Sequence, residues 1–459
     1  MTKSEIEAIV LKMAEETERL SSAVTDFVDI NEYHSFVREE EHDGEILHIW
    51  TDAFNKALCE HKGLIVPEGV YCVDETIVMH SGNKIKAHEN AVIRKKEGVK
   101  VLLLRNENII DESYGLAPKD SKKDENIFIE GGIWEECYTK RTEYGFYDEK
   151  NSMSGITACM HFSNVKNFSL KNAVFKKSGH FSFQCGNIEN ACFENIRFVD
   201  CNADGLHING NTKNVLIRNV KGNVGDDIVA LNMFDWDYCS INFGPMDTVL
   251  CENVELSEES KYKAIRIFPA YYKFKDETEI DCSASNMILR NIRGVETVKM
   301  YLQTFWYPID KPIIGKPGSG HSIYFEDIEI NLTKPVDNFA NYINSDSETG
   351  HFAAFEIGAN IRDVSFENIT FKLPREKYPL SYFLLVGPKS SYINFDGGMN
   401  EIFDPYMNCE VENVTFENVE TNGENVKDMS DYIKVNKFFG LHGTDYMNGQ
   451  GKIGKIIYK

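Results

Sequence analysis

Two short segments hold most of the chemistry this chain could do: Asn202-Ala203-Asp204-Gly205-Leu206-His207 and Gly225-Asp226-Asp227-Ile228-Val229-Ala230-Leu231-Asn232. Asp204 and Asp226 stand 22 residues apart. If that spacing is one turn of a repeating structure, the carboxyls stack as neighbours and their like charges oppose each other. At least one then keeps its proton near neutrality. A protonated carboxyl beside an ionised one is what glycosidic bond hydrolysis requires: the first protonates the leaving oxygen and the second activates water. Asp is also an ordinary turn residue, but two acidic corners one turn apart favour the chemical reading. His207 and His180 are candidate substrate contacts, against the ordinary reading of a surface strand histidine. Met233-Phe234-Asp235-Trp236-Asp237-Tyr238 follows the Asp pair. An aromatic such as Trp236 beside carboxylates suits a sugar, whose ring face stacks while its hydroxyls meet the acids; it equally suits a loop that packs Phe234 and Trp236 onto its own coil. Lys263, Arg266 and Lys299 form a compact basic group near the acids, able to recognise a sugar carboxylate or simply to balance charge.

The element that must position these residues is visible as an internal repeat. VKNFSLKN ends at Asn172, and related phrases end at Asn195, Asn219, Asn253, Asn291, Asp327, Asn368 and Asn418, in steps of 23, 24, 34, 38, 36, 41 and 50 residues. Each phrase alternates apolar and polar residues, the period of a β-strand, and then meets a turn. A shortest repeat of 23 residues suits one coil of a parallel β-helix, with coils stacked at the ~4.8 Å strand spacing. The recurring Asn would occupy one bend per coil, where it tolerates left-handed backbone and its amide can bond the copies above and below. Longer steps become loops inserted at one place in a coil. The fold class expected is all-β, a right-handed parallel β-helix with a short N-terminal helical cap. Residues 1–45 are read as the cap segment and 46–459 as a single catalytic domain. Ile6, Ile9, Val10, Met13 and Leu20 lie at helical spacing, and this helix is expected to cover the open end of the coil stack. A dimerisation helix, making a homo-oligomer, is the competing reading.

Composition narrows the partners. With 72 acidic against 49 basic residues the net charge is -23, which repels phosphate backbones, so nucleic acid is excluded as a partner. No apolar stretch reaches the 18 or so residues of a membrane span, so no membrane partner is expected. The N-terminal twenty residues lack an apolar core followed by a cleavage site, which points to the cytoplasm. The 11 cysteines are scattered without CxxC pairs and read as reduced, buried thiols.

The order N-x-D-G, then G-D-D ahead of a strand, then Arg266-Ile267-Phe268, resembles the polygalacturonase family of glycoside hydrolases, family 28, in the pectin-lyase-like β-helix superfamily. The resemblance runs from about Asp52, where DAFNKAL and VPEGVY are similar to the superfamily's entry segment, to about Tyr301. It implies that Asp204 and Asp227 hold the attacking water, that Asp226 is the general acid, and that the anomeric carbon inverts. It also implies that Arg266 binds a substrate hydroxyl or carboxylate and that Tyr301 is a subsite tyrosine. The chain departs from the family at three places: SINFGPMDTVL lacks the G-H-G histidine, Phe268 replaces a lysine, and Ala203 replaces a threonine. His207 and His180 are the imidazoles available to replace the missing one.

The function expected first is an inverting, exo-acting glycoside hydrolase of short oligosaccharides, pectin fragments among them, needing no cofactor and no metal. A uronate lyase or epimerase on the same scaffold is the second reading, with Arg266, Lys263 or Lys299 as base and Ca²⁺ at the acids. A non-catalytic carbohydrate-binding β-helix is the third.

Overall fold

The alternating apolar residues of each repeat turn inward and stack coil on coil. Phe168, Ala191, Val215, Val249, Met287 and Ile323 occupy one register position on consecutive parallel strands, and all six belong to one continuous core. The computed structural model describes residues 1–109, 121–141, 158–234, 243–273, 279–300, 317–334, 352–387, 408–435 and 450–459. Among these, nearly every strand pairing is parallel and links one coil to the next, and the only helical element beyond residue 60 is the short turn Ser430–Tyr432. The chain is a parallel β-helix.

The strands that carry the site form one face of this stack: β1 (Ala158–Lys171), β2 (Phe181–Val199), β3 (Leu206–Asn209), β4 (Val229–Asn232), β5 (Ala264–Phe268), β6 (Thr297–Met300) and β7 (Phe352–Ile357). Their inward residues, such as Leu206, Val229, Ile265 and Val298, are core. Because side chains alternate, the residues between them point outward in a second stack. His161, Gln184, His207, Ala230, Arg266 and Lys299 share that outward position on β1 to β6.

The Asn repeat performs its expected role. Asn172, Asn195, Asn219, Asn253 and Asn291 all have left-handed backbone, with φ from 50° to 57°. Each amide donates to the one before it: Asn195 to Asn172 and Asn219 to Asn195 at 2.8 Å, Asn253 to Asn219 at 2.9 Å and Asn291 to Asn253 at 2.6 Å. Two parallel ladders escaped the sequence reading, Asn126-Asn167-Asn190-Asn214 and Asn164-Asn187-Asn211. They lie at the start of the same phrases, where no single residue type repeats through the later coils.

An N-terminal helix, α1 (Lys3–Ser22), is present, opened by a reciprocal cap between Thr2 and Glu5. Its position corrects the expectation that it covers the end of the stack. Ile6, Val10 and Met13 pack on Cys192, Leu216, Leu250 and Ile288, which point outward from four successive coils, so the helix lies along a flank. Ion pairs from Lys3 to Glu326 and Glu367, from Glu7 to Arg290 and from Glu18 to Lys171 extend the contact further along the stack. Those four outward apolar residues offer a stripe that only a lengthwise helix can cover. The end is closed instead by α2 (Thr51–Glu60), whose Ala53, Phe54, Ala57 and Leu58 enter the main core beside the first coil.

Candidate functional site

The three acids lie where two coils turn into β3 and β4. β3 pairs with β4 so that Leu206 faces Val229, which sets Asp204 level with Asp227, 23 residues on, and Asp226 one position earlier. All three project to the same place: an oxygen from each lies within 4.8 Å of the others. Asp204, Asp226 and Asp227 are 2%, 1% and 0% exposed, so they are core-like in accessibility although they sit outside the core. The turns that deliver them need glycine. A Cβ at Gly205 would meet the Ile228 carbonyl oxygen at 2.6 Å, and one at Gly225 the Asn202 carbonyl oxygen at 2.2 Å.

Each carboxyl has its own surroundings. Asp204 Oδ2 is 2.6 Å from His207 Nδ1, and Oδ1 accepts from the Asp227 backbone N–H at 3.2 Å. Asp226 Oδ1 accepts from the same N–H at 3.1 Å, and Oδ2 from Arg141 at 2.9 Å. Asp227 Oδ2 lies 2.9 Å from Arg266 Nε, a charge contact without the alignment of a hydrogen bond. Burial, then the Asp226 charge, raise the Asp204 pKa, against the pull of His207 and Arg266. Burial raises Asp227 well above its ordinary value despite Arg266, with Asp226 and Asp204 adding to it. For Arg266, burial works against the cation, but Asp227, Tyr262 and the other two acids outweigh it and hold the proton more firmly than usual. The cluster therefore retains a proton that water-exposed aspartates would have released.

Of the residues singled out from sequence, the structure brings together Asp204, Asp226, Asp227, His207 and Arg266. His207 is 1% exposed and lies flat on Phe181, with centroids 3.8 Å apart and planes at 16°, which removes the surface-histidine reading. His180 is buried edge-on to Phe181 at 4.3 Å and so supports the ring on which His207 rests. Lys299 is buried one coil beyond Arg266, its ammonium 5.3 Å from the Tyr262 ring centre. Lys263 faces Glu296 at 3.8 Å. Phe234 packs on Phe243 at 4.3 Å within the core, the loop-packing alternative for that residue. Trp236 and Tyr301 lie outside the described residues. Sequence reading missed Arg141, which no repeat marks. It also missed Gln184 and Asn209, which one coil step from His207 and Asn232 would have found.

A cavity of about 280 Å³ lies between the segments that lead into Asp204 and Asp226, and none of the three acids lines it. Tyr138, Lys177, Asn202, Asn223, Glu259 and Lys261 are among its lining residues. This is near the lower end of ligand-pocket volumes.

Ten of the cysteines are described; all are free thiols and eight are buried. No helix among the described residues is long and apolar enough to cross a membrane.

No sequence-family profile and no curated protein matches the chain; solved structures do. A hyperthermoactive exopolygalacturonase from Thermotoga maritima superposes with a TM-score of 0.51 at 13% identity, over 91% of this chain and 97% of that one. A 1,3-α-1,4-β-D-galactose-4-sulfate-3,6-anhydro-D-galactose-2-sulfate 4 galactohydrolase also gives 0.51 at 13% identity, over 83% and 95%. The Streptococcus pneumoniae surface protein and adhesin PfbA gives 0.45 at 12% identity, over 94% and 99%. At these identities the likeness is one of fold, and the fold that the chain shares with the exopolygalacturonase and the galactohydrolase is the parallel β-helix.

Proposed function

We propose that the chain is a glycoside hydrolase, inverting and exo-acting, of short oligosaccharides, with pectin fragments the first class to test. One observation carries this reading: three buried carboxyls converge within 4.8 Å beside a buried arginine, which keeps one ionised carboxylate and one proton in the same small space. Asp204 is the base: its oxygens face the His207 ring and the Asp227 backbone N–H. The transferable proton belongs to the Asp226–Asp227 pair. Asp226 gives it to the leaving oxygen, while Asp227 and Asp204 hold the attacking water. Arg266 neutralises charge that would otherwise accumulate and faces the sugar. The enclosure of the acids, 2% exposed or less, suits a chain end better than the middle of a polymer. Two solved structures that share the fold are an exopolygalacturonase and a galactohydrolase.

The carboxyl oxygens lie within 4.8 Å of one another, closer than the roughly 6.5–9.5 Å at which inverting glycosidases commonly separate acid and base, so product stereochemistry is the decisive observable. Wild type and Asp226→Asn should be incubated with oligogalacturonides, rhamnogalacturonan fragments and neutral aryl glycosides. A water-added, inverted product is expected from wild type, with the rate reduced about 10²–10⁴-fold in the variant, the usual contribution of acid–base catalysis. Full activity in Asp226→Asn, a dehydrated product, or binding without turnover would each overturn it.

A further inference from the structure

The side chains behind Asp204 form a donor chain that runs one way. Gln184 Nε2 donates to Asn209 Oδ1 at 3.2 Å, Asn209 Nδ2 faces His207 Nε2 at 3.4 Å, and His207 Nδ1 meets Asp204 Oδ2 at 2.6 Å. Gln184, Asn209 and His207 are all buried. An amide nitrogen only donates. With Asn209 Oδ1 taken by Gln184, its nitrogen is the atom facing His207, so Nε2 accepts and the imidazole proton resides on Nδ1. The ring orientation is fixed by Phe181, stacked on it. The consequence at Asp204 is a single N–H donor aimed at one carboxylate oxygen, while the backbone N–H of Asp227 serves the other.

We propose that His207 is a positioning residue for the base, held in its Nδ1–H form by Gln184 and Asn209 so that it keeps Asp204 as an oriented carboxylate ready to accept a proton from water. The inference rests on the hydrolase reading for its role in turnover, but not for the dyad itself. The donor answers a local problem. Asp204 is buried beside Asp226 and Asp227 from the next coil, and its burial and the Asp226 charge disfavour its ionisation. The cations facing the cluster are Arg266 on β5, Lys299 on β6 and Arg141 ahead of β1, with His180 entering from the turn before β2; of these, Arg266 lies against Asp227 and Arg141 against Asp226. The His207 side chain is bonded directly to Asp204. A hydrogen bond to the charged form favours that form.

Three variants test this. His207→Phe keeps the stack on Phe181 and loses the donor; His207→Gln keeps a donor; Asn209→Leu releases the tautomer without touching Asp204. The first readout needs no substrate: the unfolding free energy, measured from pH 4 to 9. Asp204 disfavours the folded state increasingly from the ordinary carboxylate range up to its own folded pKa, where its contribution levels off; Asp204→Asn identifies that component. In His207→Phe the levelling point should move up by about one pH unit or more, with His207→Gln close to wild type. The second readout is the histidine ¹⁵N spectrum, in which His207 should show Nδ1 protonated, with loss of that preference in Asn209→Leu. An unmoved levelling point, or an Nε2-protonated ring in wild type, overturns the proposal. In turnover, the acidic limb of kcat/KM should shift with the same sign in His207→Phe, whereas a uniform loss at every pH would mean a merely structural role. A dyad supported by both physical readouts in a protein without hydrolytic turnover would leave this inference standing and remove the hydrolase reading.

Discussion

Three carboxyls enclosed together cannot all behave as ordinary aspartates. Their burial is a consequence of residue type and place: Asp204 and Asp227 share a coil position, so the stacking that aligns apolar residues inside the helix also aligns these charges outside it. Asp227 is raised above its unfolded value by burial first, with its acidic neighbours adding to it and Arg266 opposing. A group with a raised folded pKa contributes its stability fully below the unfolded value, near 4, and loses it as pH rises through the folded value. Asp227→Asn should therefore gain stability relative to wild type as pH increases from 4 towards 8. Urea titrations at stepped pH measure the difference, and a difference that stays constant or reverses in sign would sink the explanation. The acids, His207 and Arg266 were legible because their types and one-coil spacing are local facts. Arg141 was not, because its contact with Asp226 spans 85 residues and no repeat leads to it.

At the scale of the element, the recurring bend is where sequence and structure agree most closely. Asn219 combines a φ of 57° with amide bonds to Asn195 and Asn253. Replacing it separates the two contributions. Asn219→Gly keeps the backbone freedom and loses the bonds, whereas Asn219→Ala also meets the left-handed penalty of ~1–2 kcal/mol. The alanine variant should be the less stable of the two by about that amount in chemical denaturation; equal losses would show that the bend is held by the amides alone. The sequence marked this ladder because one residue type recurs at one phrase position. It left the destination of the N-terminal helix open, because an amphipathic stripe states that something must cover it and not what does.

At the scale of the whole molecule, a stack of coils holds together mainly through nearest neighbours, and α1 is the element that reaches across many of them. Its apolar stripe seats on four coils and its ion pairs extend to others. Val10 is 0% exposed at the centre of that contact. Val10→Asp buries an unpaired charge or peels the helix away, and should cost about 2–4 kcal/mol. It should also broaden the urea transition, as coils lose their common strap. A variant that unfolds at the wild-type midpoint with the wild-type slope would contradict this role.

The sequence by itself determined the repeat, the β-helix, the bend residue and the acidic pair of coils, because each is written in spacing within about one or two coils. The tertiary structure alone decided where α1 lies, that Lys263 turns to Glu296, and that His207 is the end of a buried donor chain on Asp204. These depend on which faces of distant segments meet, and a period fixes which residues share a position along the coil without fixing what packs against them from outside.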